Sequence, residues 1–350
     1  MTVTLKDRLA AQIAQTGPLT IAQYMTACLH DPQDGYYATR PALGEAGDFI
    51  TAPLVSQMFG ELIGVWAISC WQAMGAPARF TLVEMGPGDG TLMSDLLRAA
   101  RVLPAFVEAA DVWMVETSEP LAELQAGKLG EAARWARSLD EVPVGEPTIL
   151  VANELLDCLP VRQFVRTVTG WAEQVVGVDR HGALTFGLVP APLALPDARD
   201  GAVLEVSAAQ EALGAALGER LAADGGAALL IDYGRDRPGF GDTLQALVRH
   251  ERVDPLARPG EADLTVHADF PAVMAAARKA GAEATVLTQA AFLARLGIGE
   301  RAEALVRARP DKAAVIGRQL NRLVGGDEMG ELFKACCIHS PGWTPPAFAE

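Results

Sequence analysis

Several foundations on which a protein can be built are scarce in this sequence. Cysteine is one: there are five, Cys28, Cys70, Cys158, Cys336 and Cys337, an odd number with no C-x-x-C spacing. That argues against a disulfide framework and against a thiolate zinc site. The vicinal pair Cys336-Cys337 can respond to oxidation, although buried strand cysteines are the simpler account. The histidines, His30, His181, His250, His267 and His339, are dispersed without metal-ligand spacing, so no metal is expected. Positive charge is scarce as well. Lys plus Arg number 29 against 44 Asp plus Glu, a formal net charge of −15. Phosphate contacts need Lys and Arg, so no nucleic-acid partner is expected. Long apolar runs are missing: Leu62–Cys70 is too short to cross a bilayer. Met1–Gln15 carries Lys6, Asp7 and Arg8 among apolar residues and reads as an amphipathic helix, not a signal peptide. A reducing bacterial cytoplasm is the expected location. Internal repeats and low-complexity tracts are also lacking.

Apolar residues are plentiful. They make up 50% of 350 residues, enough for one large core or two closely joined ones. Residues 1–78 read as mostly helical. Leu19–Leu29 is helix-like, Asp31-Pro32-Gln33-Asp34-Gly35 breaks it, a loop continues through Gly44–Pro53, and Ser56–Trp71 resumes a helix. From Phe80 onward strands and helices alternate. Strands are predicted at Phe80–Met85, Val112–Val115, Arg134–Leu139, Thr148–Ala152 and Ala227–Ile231, with helices at Thr91–Ala100 and Leu121–Gly130. Such alternation predicts a parallel α/β sheet covered on both faces. Val161–Val189 alternates polar and apolar residues with two turn signals, and reads as antiparallel strands inserted into that core. Pro190–Asp200 reads as a surface loop. The C-terminal part reads as helix Asp269–Ala280, strand Glu283–Leu287, helices across Gln289–Leu323, and a last strand within Leu332–Ile338.

The first predicted strand runs into Glu84-Met85-Gly86-Pro87-Gly88-Asp89-Gly90-Thr91. Glycines at alternate positions bring bare backbone against a ligand, because a side chain at Gly86 or Gly88 would block its approach. The spacing is G-x-G-x-G, not the G-x-G-x-x-G of pyrophosphate cradles, which points away from NAD and towards S-adenosylmethionine. Glu84, Gly86, Pro87, Gly88, Gly90 and Thr91 are therefore candidate cofactor residues.

Ligands of open parallel sheets sit beyond the carboxyl ends of the strands. The second end carries Glu116-Thr117-Ser118, where a carboxylate can accept both hydrogen bonds of a ribose diol. Read alone, Glu116 fits a helix N-terminal carboxylate better; beside the glycine loop it points to ribose. The third end offers Leu139 and Asp140, which can frame an adenine or simply form a polar loop. The fourth carries Asn153-Glu154-Leu155-Leu156-Asp157. On a helix, Glu154 and Asp157 would share a face, and two carboxylates together can grip a guanidinium fork. By spacing alone, ordinary helix-start chemistry explains these acids as well. The fifth end carries Asp232-Tyr233.

Five segments together resemble one family. They are Asp48-Phe49-Ile50-Thr51-Ala52-Pro53 with Ser56-Gln57-Met58-Phe59-Gly60-Glu61-Leu62, then Val83–Leu92, Asn153–Val161, Asp232-Tyr233-Gly234, and Pro259-Gly260-Glu261-Ala262-Asp263-Leu264-Thr265. The chain resembles the MidA-like, S-adenosylmethionine-dependent methyltransferases, over most of its length from Gly35-Tyr36-Tyr37 onward. The resemblance implies a Rossmann-like, seven-stranded class I methyltransferase sheet. Residues 1–78 would be an N-terminal helical segment contributing a lid. Residues 79–350 would be the methyltransferase domain, with inserted antiparallel strands near 161–189. It also implies that Gly86, Gly88, Glu116, Ser118 and Asn153 surround the cofactor, and that Thr51, Pro53, Ser56 and Gln57 close over its methionine end. Asp89, where related proteins often carry a basic residue, is expected to point outward. Mitochondrial members of the family assist assembly of respiratory complex I by methylating an arginine of a core subunit. The resemblance thus implies a protein substrate, with Glu154 and Asp157 binding its arginine and Tyr233 lining the same pocket. A small-molecule methyltransferase, a non-catalytic assembly chaperone, and a homodimer remain open.

Overall fold

Local capping chemistry starts the first helices. The computed structural model describes residues 3–39, 51–249 and 251–349, so Asp48, Phe49, Ile50 and His250 lie outside the described residues. Helix α1 (Leu5–Thr16) opens on a capping box in which the Thr4 hydroxyl accepts from the Asp7 N–H and the Asp7 carboxylate accepts from the Thr4 N–H. Its Leu5, Leu9 and Ile13, spaced by four, form the buried stripe. A two-residue strand β1 (Leu19–Thr20) leads into α2 (Ile21–His30), started by a second box of Thr20 and Gln23. The Asp-Pro-Gln-Asp-Gly turn then reverses the chain, and Arg8 locks it by donating to Asp31 at 2.8 Å and Asp34 at 2.7 Å. Two short helices follow, α3 (Tyr36–Thr39) and α4 (Ala52–Val55), then the long α5 (Gln57–Ala73), capped by Ser56.

The alternating part begins with β2 (Phe80–Met85), α6 (Thr91–Ala100), α7 (Pro104–Ala109), β3 (Ala110–Val115), α8 (Glu119–Leu129), β4 (Arg134–Ala136) and β5 (Thr148–Asn153). An antiparallel group follows: β6 (Arg162–Thr167), β7 (Gly170–Val178), β8 (Leu184–Pro190) and β9 (Val203–Val206). The chain returns through α9 (Ala208–Asp224) to β10 (Gly226–Arg235). Three short strands, β11 (Gln245–Val248), β12 (Glu251–Val253) and β13 (Asp263–Thr265), form a small sheet of their own. After β14 (Ala268–Asp269) come α10 (Phe270–Lys279), β15 (Glu283–Thr288), α11 (Gln289–Arg295), α12 (Ile298–Ala308), α13 (Ala313–Val324), α14 (Met329–Leu332) and β16 (Phe333–His339).

The fold is mixed α/β around a mostly parallel sheet. Its strand order is β15-β16-β10-β5-β2-β3-β4, with the two-residue β14 paired to β10 as an eighth strand. Only β16 runs against its neighbours. Period-two alternation assigns the two faces. Leu82, Ile149, Val151, Leu229 and Ile231 pack towards α5 and α6, with Trp66 and Phe59 at the centre. Val83, Leu150, Ala152, Ala228 and Leu230 pack towards α9 and α10, against Leu217 and Phe270. The N-terminal residues divide between two cores. Helix α5 joins the main sheet, whereas α1 and α2 pack with Val176 of β7 and Leu264 of β13. Among the described residues no helix is long and apolar enough to cross a membrane.

The order also fixes where a ligand can enter. From β2 the chain moves to β3 and β4 on one side, then returns to β5 on the other. The connections diverge between β2 and β5, which opens a crevice at their carboxyl ends.

Candidate active site

A cleft open to solvent lies at that crevice. Its floor is the turn after β2. Gly86, Gly88 and Gly90 all have left-handed backbone, with φ of 61°, 55° and 78°. At Gly86 an added Cβ would stand 2.9 Å from Leu155 Cδ1, so the bare backbone lets the turn after β2 meet the turn after β5. Glu84, Gly86, Pro87 and Gly88 line the cleft. Gly90 and Thr91 do not: Gly90 is the N-cap of α6, and the Thr91 hydroxyl accepts from Lys128 Nζ at 2.7 Å. Asp89, expected to point outward, lines the cleft and pairs with Lys128 at 2.6 Å.

Glu116 stands at the end of β3 and lines the cleft. Its Oε1 accepts from the Ser118 N–H at 2.7 Å, and its Oε2 from the Gln125 amide at 3.2 Å. Ser118 therefore acts behind the cleft wall, and its hydroxyl donates to the Tyr37 carbonyl at 2.8 Å. Leu139 and Asp140 do not line the cleft. Strand β4 is only three residues long, and the 3-10 turn after it is held elsewhere by buried Arg220, which donates to the Leu139 and Val142 carbonyls. Asp140 is left exposed.

The segment after β5 is not the helix expected. Glu154 has left-handed backbone, φ 53°, an uncommon state for a side-chain-bearing residue that clusters at functional sites. The turn is held by Asp232, whose buried carboxylate accepts from the Leu156 and Asp157 N–H groups at 2.8 and 3.1 Å and from the Tyr233 N–H at 2.8 Å. Glu154 and Asp157 still reach one place, because Asn153, Glu154 and Asp157 all line the cleft. Glu154 Oε1 accepts from the Asn153 amide at 2.8 Å and from the Ala52 N–H at 3.3 Å, which seats α4 over it. Thr51 and Pro53 line the cleft beside it. Ser56 instead caps α5, and Gln57 is exposed. Tyr233 is buried beside Asp157 but does not line the cleft; its ring packs edge-on against His267 and Phe333.

Sequence reasoning assigned no role to several lining residues, among them His30, Tyr36, Tyr37, Cys158 and Asp263. The Tyr37 hydroxyl donates to Asp263 at 3.2 Å, across 226 positions of sequence. Gly260 makes this meeting possible: at φ 79° an added Cβ would lie 2.2 Å from the Asp34 carbonyl, so the 259–265 segment sits directly on the turn before Tyr36-Tyr37. The Pro-Gly-Glu-Ala-Asp-Leu-Thr run was the available signal, but nothing local to it names its partner.

Among the described residues the lining carries six carboxyls, Glu84, Asp89, Glu116, Glu154, Asp157 and Asp263, and neither Lys nor Arg. Burial, then the neighbouring Asp157, pushes Glu154 up to about 8. Burial also raises Asp157 and Glu84. Among the described residues, two buried acceptors at the cleft have no partner, Glu84 Oε2 and Asn153 Oδ1. A buried acceptor left unpaired is costly and calls for a donor. The ammonium, ribose hydroxyls and adenine amine of S-adenosylmethionine supply donors. The residues fit that cofactor.

Comparison with known proteins agrees. The family described as "Putative S-adenosyl-L-methionine-dependent methyltransferase" matches residues 62–288. Protein arginine methyltransferase NDUFAF7, mitochondrial, of Rattus norvegicus is 35% identical over 97% of this chain and 89% of its own length. The human protein of that name is 36% identical over 92% of this chain and 80% of its own. A crystal structure of a COG1565 superfamily member from Burkholderia thailandensis, bound to S-adenosyl-homocysteine, superposes with a TM-score of 0.87 at 28% identity, covering 99% of this chain and 94% of that one. The chain belongs to this family of S-adenosylmethionine-dependent methyltransferases, and S-adenosylmethionine is its cofactor.

Proposed function

We propose that this chain, as a member of that methyltransferase family, methylates an arginine side chain of a protein, a respiratory complex I core subunit being the expected target. The observation that carries the reading is the pair of carboxyls, half-buried Glu154 and buried Asp157, in a cleft that the described residues line with six acids and no Lys or Arg. A guanidinium is planar, cationic and rich in N–H donors, and a close carboxylate pair is its natural partner. The relatives at 35% and 36% identity are named protein arginine methyltransferases, which supports it. We read the seven-strand path of the main sheet as the class I methyltransferase sheet, β6–β8 as its insertion, and residues 1–78 as the source of a lid through Thr51 and Pro53. A cytoplasmic location belongs to the same reading, supported by five cysteines that are all free thiols.

Bound S-adenosylmethionine supplies a methyl group already activated on a sulfonium. The chain's part is to align the acceptor and exclude water. Glu154 and Asp157 would accept N–H bonds from the guanidinium, draw its positive charge away from the attacking nitrogen, and fix its plane. A cation raises the ionised fraction of both acids, because its charge favours the carboxylates against the burial that holds their protons on. Once the nitrogen has taken the methyl, it must release one N–H proton, and Glu154, pushed up to about 8, is a suitable acceptor. Glu154→Gln tests the reading. It is expected to bind cofactor normally and to lose arginine methylation; normal cofactor binding with native transfer would sink the assignment.

A further inference from the structure

We propose that Gln125 is a positioning residue for the cofactor, acting through Glu116 and the glycine loop. Gln125 lies in the middle of α8, is fully buried, and does not line the cleft. Its amide is completely used. The Trp135 indole N–H donates to its Oε1 at 2.9 Å, and its Nε2 donates to the Gly88 carbonyl at 2.7 Å and to Glu116 Oε2 at 3.2 Å. An indole N–H can only donate, so the amide oxygen must face Trp135, and both amide protons are directed to the loop and the carboxylate. One side chain thus ties strand β4 to the two features that would hold the cofactor. Gly90 closes against the same side chain, an added Cβ there meeting Gln125 Cγ at 3.3 Å.

The consequence concerns aim. Glu116 has one oxygen held by the Ser118 N–H and the other by Gln125. Both bonds favour the ionised acid against the burial that raises it. With each oxygen fixed, its remaining lone pairs have a set direction for a ribose diol. Without Gln125, Glu116 is held on one side only, and the Gly88 carbonyl and Trp135 N–H lose their partner. This role rests on the cofactor assignment and is independent of the arginine acceptor.

Calorimetry with S-adenosylhomocysteine and its 2′-deoxyribose analogue reads the ribose contribution as a ratio of affinities. The native protein is expected to prefer the ribose ligand by about tenfold or more, the loss of a hydrogen bond to a charged group. Gln125→Leu is expected to weaken S-adenosylhomocysteine about tenfold and to shrink the ratio towards that of Glu116→Ala. In a Glu116→Ala background it should change the ratio little further. Trp135→Phe removes the indole donor together with part of the ring system, and carries the same test with a smaller shift if Gln125→Leu does not fold. Equal weakening of both ligands, an unchanged ratio, or a native protein without ribose preference would overturn the proposal.

Discussion

The two halves of the cleft are built on opposite principles. In the donor half, the glycine turn, Glu116 and Gln125 come from two consecutive strand-helix units, and their polar groups largely satisfy one another. In the acceptor half, Tyr37, Ala52, Glu154, Asp157 and Asp263 come from four separate segments, and acids crowd where burial disfavours their charge. The donor half is largely assembled before its ligand arrives, with Glu84 Oε2 and Asn153 Oδ1 left to take donors from a ligand that never varies. The acceptor half carries strain at Glu154 and protons it would shed to a cation, so it stores selectivity for positive charge.

Substitutions that separate the halves test this contrast. The largest effect is expected at Glu154. Glu154→Gln should lower arginine methylation about 10²- to 10³-fold with calorimetric cofactor affinity close to native, the scale for losing one electrostatic partner of the transition state. Glu116→Ala should do the reverse. Cofactor affinity is expected to fall about 10- to 100-fold, while the KM for the acceptor, measured at saturating cofactor, stays near native.

Gly86→Ala comes next. It puts a side chain at φ 61° and a Cβ 2.9 Å from the flexible end of Leu155, so cofactor binding should weaken about tenfold in calorimetry. The pH dependence is smaller and marks only the acceptor half. Glu154 is raised from the ordinary 4.5 to about 8, so between those values the folded chain holds a proton that the unfolded chain has lost. Its contribution to stability therefore falls as pH rises through that window. Cation binding runs the other way, because it needs the ionised form. The acceptor KM should fall several-fold as pH rises through about 8, and the Glu154→Gln profile should be flatter in steady-state kinetics. Asp140→Ala closes the series: exposed and outside the cleft, it should leave cofactor affinity unchanged.

The same contrast explains what was legible in the sequence. Gly86, Gly88, Glu116, Asn153, Glu154 and Asp157 lie at the ends of predicted strands, where topology alone gathers them. The alternation of strands and helices was readable because both faces of β2, β5 and β10 are buried. Gln125 was not readable: within α8 it resembles any exposed glutamine until β4 brings Trp135 beside it. The Tyr37–Asp263 pair was hidden by sequence distance. The helix considered after Asn153 does not form: Glu154 takes left-handed backbone, and Asp232, distant in the chain, holds the Leu156 and Asp157 N–H groups of the turn, which nothing local foretells. Leu139 and Asp140 were drawn to the cofactor by their position after a strand, but β4 is too short and Arg220 holds the turn away.

The most direct test of the acceptor half is to supply the protein with methyl-labelled S-adenosylmethionine and the complex I core subunits, then locate the label by tandem mass spectrometry. The account predicts label on an arginine nitrogen with the native protein, and none with a Glu154→Gln protein that still binds cofactor. Label on another residue type, or equal arginine label with Glu154→Gln, would contradict it.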